Sequence, residues 1–522
     1  MCLPGSLRAS AVASLLLCFL VDGAGQERAP ARDASSRLLA ESRAFLNAND
    51  LERARAGIEK VLARDPASGD AHYLLGLLAE RQKDLEAAAA SYARAIQYAP
   101  RMAEAHDRLG FVRGQQGRTS DAIAEFERAV QLNPRLFDAQ YHLGATRWWT
   151  RNFDGALPTL QAAVKLRPDH AEARYYLGLT LQSLGRLEPA IDELRAAVRL
   201  NPTLAIAQMR LGIALQAFGD LDGAIAHLET AVRLDPASAD AQNSLGLALS
   251  QKGRGDDAVV VLRRLTSAQP TYLAGRLNLG TALMQQGNLA EAIVEYRALV
   301  ALDPNNAEAT YNLGLALKQQ DDFAAAEAEL RKAARLDSTL PEAPFTLGVV
   351  LWQTGRADEA LQQFRETLAR KPDYADAFYM IGTVLKQQGA LGDAIVQFKQ
   401  ALKYRPLSAE VHLSLGQALE QQGNKQAAAA ELAESERLRR KSADAQASTF
   451  AVGVGEQKIK AGDYHGAIEQ FREAIRLAAE NPQAHYQLAL ALRHTGARVE
   501  AQKHFAEARR LAPYLRPPDD DK

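Results

Sequence analysis

The chain has 522 residues, 47 % of them hydrophobic and only 6 % aromatic, with 62 basic side chains against 63 acidic ones and a formal net charge of −1. That length exceeds one ordinary domain, and the near-neutral balance supplies no global field for nucleic acid or an anionic membrane, so neither is expected as a partner.

The first element is an export signal over residues 1–25. "MCLPGSLR" carries one positive side chain, and "ASAVASLLLCFLV" follows as about 13 apolar or small residues, too short to span a bilayer. "GAG" at Gly23 to Gly25 offers small residues for cleavage, so the protein is expected in the periplasm or outside the cell. Cys2 and Cys18 are the only cysteines, and both fall in this leader. The chain beyond it can form no disulfide, thiol nucleophile or cysteine-bound zinc site. Residues 26–34 read as a linker.

From residue 35 the sequence repeats. Gly76, Gly110, Gly144, Gly178, Gly212, Gly246, Gly280, Gly314, Gly348, Gly382 and Gly416 recur at a spacing of 34 without a gap. Twelve residues after each lies an alanine, beginning with Ala88 and Ala122 and ending with Ala428. A second glycine usually comes seven residues after the first, as at Gly185, Gly219, Gly253, Gly287, Gly355, Gly389 and Gly423. Proline marks the end of most repeats, from Pro66 to Pro406.

Each repeat reads as two helices, A and B. In the repeat from Ala307, the spacing of Leu313, Ala316 and Leu317 makes one apolar stripe, and Phe323, Ala326, Leu330 and Ala333 make a second. The second glycine supplies the left-handed conformation that ends helix A. Asp220, Asn288, Asn424 and Asp463 follow such glycines as expected caps for helix B. The proline keeps the residue before it out of helical geometry. A glycine inside helix A costs about 1 kcal/mol against alanine. The expected compensation is a close crossing, with glycine at position 8 and alanine at position 20 letting the two backbones approach.

A 34-residue helical hairpin with Leu-Gly at positions 7–8, Ala at 20, Ala at 27 and Pro at 32 resembles the tetratricopeptide repeat. "AEATYNLGLALKQQDDFAAAEAELRKAARLD" is close to that family's consensus. Twelve repeats run over residues 35–442, five extra residues at 443–447 shift the phase, and two more repeats fill 448–515. The resemblance implies an all-α fold, an α-solenoid forming a right-handed superhelix of about fourteen helical hairpins. Residues 516–522, "RPPDDDK", read as a disordered tail.

In this family helix A lines a concave groove, and the same positions here give candidate binding residues. Position 5 holds Tyr73, Tyr141, Tyr175, Tyr311, Phe345 and Tyr379; positions 12 and 13 add Trp148, Trp352 and Trp149. Position 13 also carries a run of six glutamines: Gln251, Gln285, Gln319, Gln353, Gln387 and Gln421. Aromatic faces and amide donors suit an extended peptide, a partner helix or a glycan chain. The carboxylate clamp known in this family does not match, since position 5 is mostly aromatic. Nor does the family's asparagine ladder, since only Asn278 and Asn312 occupy position 6.

No catalytic, cofactor or metal motif emerges. The ten histidines form no two-His helical motif with an intervening glutamate, although His72 and His106 fall at position 4 of consecutive repeats. There is no phosphate loop, dinucleotide fingerprint or nucleophile elbow. The expectation is a non-enzymatic scaffold that binds protein partners in its groove. A glycan-export adaptor is the alternative, and a regulatory array for a separate glycosyltransferase the weaker one.

Overall fold

The computed structural model describes residues 28–515, with side chains from residue 34 on. The leader, both cysteines and the tail from 516 lie outside the described residues. Among those described there are 27 α-helices and no strand, an all-α solenoid. None of these helices is long and apolar enough to cross a membrane. The chain divides into two compact units, Met1–Leu200 and Asn201–Lys522, holding repeats 1–5 and 6–14.

The repeat from Ala307 shows why the sequence folds this way. Asn306 caps helix A (Ala307–Gln319) by accepting from the Ala309 amide at 2.8 Å. Asp322 caps helix B (Phe323–Leu336) by accepting from the Ala325 amide at 3.1 Å. Leu313, Ala316 and Leu317 of helix A bury against Ala326 and Leu330 of helix B. Helix A of each repeat also packs on helix A of the next, as in repeats 3 to 5 and 6 to 12, whereas no comparable contact joins successive B helices. Within each unit the A helices therefore form the inner wall.

Gly314 sits where the two helices cross. A Cβ placed there would lie 2.8 Å from the Leu330 Cγ and 3.3 Å from its backbone nitrogen. At Gly212 the same atom would meet Leu228 at 2.6 Å and the Ala224 carbonyl oxygen at 3.0 Å. The glycine thus seats the bulky side chain at position 24 as well as the backbone at position 20. Tyr92, Phe126, Tyr296, Phe364 and Phe398 take that seat in other repeats.

Helix A ends the same way throughout. Position 15 is left-handed in all fourteen repeats, with φ between 59° and 97°. Ten of these residues are glycine; Asn49, Lys83, Arg151 and Asp321 adopt the conformation without being glycine. Asp220, Asn424 and Asp463 then cap helix B as expected. Asn288 does not. Its amide turns away to donate to Glu291 at 2.8 Å, and the helix it precedes has no side-chain cap.

The repeat changes character after residue 424. Helix B of repeat 12 and helix A of repeat 13 are one helix, Lys425–Lys460, which runs through the extra residues 443–447. With no proline and no glycine to stop it, the backbone ladder continues. Two serines tie this helix at either side: Ser435 donates to the Ala409 carbonyl and Ser448 to the Ala474 carbonyl, each at 2.7 Å. The missing turn leaves an open cavity of about 1090 Å³ between Arg437, Arg440 and Asp444 on the helix and Glu480 and Asn481 on the facing loop.

Candidate functional site

The inner wall of the first unit carries an aromatic cluster centred on repeats 4 and 5. Trp148 and Trp149 close helix A of repeat 4 (Phe137–Trp149), with their rings 5.2 Å apart and nearly perpendicular. Tyr176 of the next helix A (Ala171–Ser183) meets Trp148 edge-on at 5.6 Å and Tyr141 at 6.1 Å. The Trp149 indole N–H donates to the Tyr176 hydroxyl at 3.3 Å, yet Trp149 remains 69 % exposed. An indole so exposed beside three other rings is a preformed contact surface. The Trp148 N–H is buried and has no acceptor among the described residues. Burial, and then the neighbouring Tyr176 and Glu172, push the Tyr141 phenol up to about 12, so it remains a neutral donor.

The other candidates fall into distinct settings. Tyr175 is buried at 7 % exposure, and its neighbour Tyr176 presents the ring that spacing had assigned to it. Tyr73 leans on Tyr92, Phe345 on Phe364 and Tyr374, and Tyr379 on Phe398. These rings are half-buried, so each has a packing role whatever else it does. The glutamines Gln251, Gln285, Gln319, Gln353, Gln387 and Gln421 are all exposed. Two of them accept from the repeat before: Gln251 from Gln216 at 2.9 Å and Gln387 from the Trp352 indole at 2.8 Å.

Polar ladders not visible in the sequence run along the A helices. Position 5 of one repeat meets position 6 of the next at Asp107–His142 (2.8 Å), Asn243–Asn278 (2.8 Å) and Tyr311–Thr346 (3.4 Å). Position 4 reaches back six residues to the carbonyl that precedes the repeat. His72 donates to Pro66, Gln140 to Pro134, Arg174 to Pro168 and Gln242 to Pro236, at 2.7 to 3.0 Å. The same side chain then meets position 23 on helix B, pairing His106 with Glu125, Arg276 with Glu295 and His412 with Glu431 at 2.6 Å. His72 and His106 are thereby engaged in joining repeats. No group of three or more metal-ligating side chains occurs among the described residues.

At the start of the first unit the wall is polar. Arg43, Arg81 and Arg108, with Tyr73, Leu77 and Glu104, line a cavity of about 350 Å³. Behind it, the Tyr92 hydroxyl donates to Glu80 at 2.7 Å. Burial raises the Glu80 carboxyl, against the pull of that bond and of Arg108. Burial also works to lower the Arg108 guanidinium, but Glu80 and Asp107 outweigh it and hold the group charged. Position labels carried over from the family did not point to these arginines, which sit at positions 9, 13 and 6 of three different repeats.

Comparison with known proteins agrees with this architecture. A family model described as "Tetratricopeptide repeat" matches residues 39–103, 146–205, 209–272, 345–398 and 380–445. A second of the same description matches 103–136 and 307–340, and one described as "TPR repeat" matches 280–321 and 455–496. No curated protein matches the chain. Among solved structures, YrrB, "a TPR protein with an unusual peptide-binding site", is 25 % identical over 35 % of this chain and 95 % of its own, with a TM-score of 0.33. MamA is 30 % identical over 32 % of this chain and 97 % of its own, at 0.30. A thermophilic TPR protein of Thermus thermophilus is 26 % identical over 35 % and 98 %, at 0.30. With the family models covering both units, the hairpins of residues 28–515 belong to the tetratricopeptide repeat family.

Proposed function

We propose that this protein is a non-enzymatic scaffold that binds an extended segment of a protein partner along the inner wall of its first unit. The observation that carries the reading is Trp149, 69 % exposed and buttressed by Trp148 and Tyr176. A large ring held in place by its neighbours gives contact area at little entropic cost. The family supplies an interaction scaffold, and the half-buried tyrosines and exposed glutamines supply a polar, adaptable track. The apolar leader supports a periplasmic or extracellular setting for that partner.

A random dodecapeptide array tests this. The full chain is expected to capture a subset of peptides. The Trp148→Ala/Trp149→Ala variant should lose that capture about tenfold or more, as loss of a central aromatic anchor does. Unchanged capture by the variant sinks the aromatic wall as the site. Capture on a glycan array with none on the peptide array replaces the peptide reading with a glycan-export adaptor, for which the exposed indole would be a sugar platform.

A further inference from the structure

We infer that the start of the inner wall in the first unit is an anion subsite, which selects an acidic residue or carboxylate terminus of a bound peptide. The inference rests on the reading of that wall as a peptide track, and it specifies the chemistry of one end.

Three guanidinium groups converge on the cavity from three successive A helices, Arg43 from repeat 1, Arg81 from repeat 2 and Arg108 from repeat 3. Only one carboxylate, Glu104, joins them in the lining. Arg108 leans on Glu80 at 3.8 Å, outside the cavity. Arg43 and Arg81 are exposed and pair with no carboxylate among the described residues. That is unusual in a chain whose arginines mostly find acids, as Arg113 does with Glu125 and Arg147 with Glu127, both at 2.6 Å. Burial raises the Tyr73 phenol, and the fields of Arg108 and then Arg43 oppose it, so both cations bear on the same ring.

Converging like charges repel unless something negative lies between them. A guanidinium fork matches a carboxylate in two parallel hydrogen bonds, and Tyr73 and Leu77 provide the apolar side for the carbon that bears it. The cavity is local and the chain as a whole is neutral, which suits a single anionic group on a peptide and not the long phosphate stripe of a nucleic acid.

The probes are fluorescein-labelled hexaglutamate, hexalysine and a twenty-nucleotide oligothymidylate, read by anisotropy with the full chain at low salt. Hexaglutamate should bind, hexalysine should not, and the Arg43→Glu/Arg81→Glu variant should bind hexaglutamate about tenfold or more weakly. Because both side chains are exposed and without ion-pair partners, the variant's melting curve should superimpose on that of the parent. Equal binding by parent and variant, or no binding by the parent, overturns the subsite. Tighter binding of the oligothymidylate overturns its assignment to an acidic peptide. If the Trp148→Ala/Trp149→Ala variant captures array peptides as well as the parent while hexaglutamate binding stays sensitive to the two arginines, the aromatic wall fails and the subsite stands.

Discussion

Gly212 illustrates how one atom decides the packing of a repeat. A side chain there would gain helix propensity, roughly 1 kcal/mol for alanine. Its Cβ would also lie 2.6 Å from Leu228 and 3.0 Å from the Ala224 carbonyl, and the carbonyl cannot rotate away. Overpacking costs of about 1–3 kcal/mol outweigh the propensity gain. Gly212→Val is therefore expected to lower the melting temperature, and Gly212→Ala to do so less. An unchanged thermal melt for the valine variant would remove the seating role. The periodic glycines were legible in the sequence because the repeat displays them eleven times over. The partner at position 24 was less so, because Tyr, Phe and Leu all fill the same seat. Asn288 misled for a related reason: the residue type permits a cap, but a glutamate three residues on competes for its amide.

At the scale of the helix pair, position 4 and position 23 form a recurrent lock between A and B. Sequence reading missed it because the two positions are 19 residues apart, and several donor types serve equally. The last repeat breaks the pattern. His485 donates through Nε2 to the Ala479 carbonyl at 3.0 Å, which leaves its Nδ1 to accept from His504 Nδ1 at 2.9 Å. Where repeats 3, 8 and 12 place a glutamate, this one places a second imidazole. Burial, and then the facing His485, hold His504 below its ordinary value; Arg472 from the preceding helix B adds to this, while Glu500 and Glu507 on its own helix oppose it. A histidine whose folded pKa is depressed takes up its proton more readily once unfolded. The contribution of the pair is thus complete above about pH 6.5 and declines as the pH falls through that value. The last hairpin is expected to lose amide exchange protection between pH 7.5 and pH 5 before its neighbours do. His504→Glu, restoring the arrangement of His412 and Glu431, should flatten that dependence; if the parent shows no acid sensitivity, the pair is inert.

Over the molecule as a whole, the repeat was legible to the residue, because each hairpin buries its stripes only against its neighbours. What spacing could not show is contact between repeats far apart in sequence. In the second unit the end of the chain returns to repeat 6. The Tyr514 ring meets Phe218 edge-on at 6.4 Å and lies 3.2 Å from where a Cβ on Gly219 would project. Gly219 is alone among the left-handed glycines in having such a neighbour. Tyr514→Ala removes this single ring contact, and small-angle scattering should then report a larger radius of gyration; an unchanged profile would mean the contact does not hold the second unit closed.

The helix Lys425–Lys460 has a mechanical consequence. Elsewhere, successive hairpins meet through a short turn, and small rotations can be shared among many such turns. Between repeats 12 and 13 the only joint is an unbroken helical rod, about 54 Å long at 1.5 Å per residue for its 36 residues. Bending it means breaking backbone hydrogen bonds, so the final two hairpins must swing as a stiff lever driven by repeat 12. Any torque that a cargo applies to the last repeats is then delivered undamped to the body of the second unit.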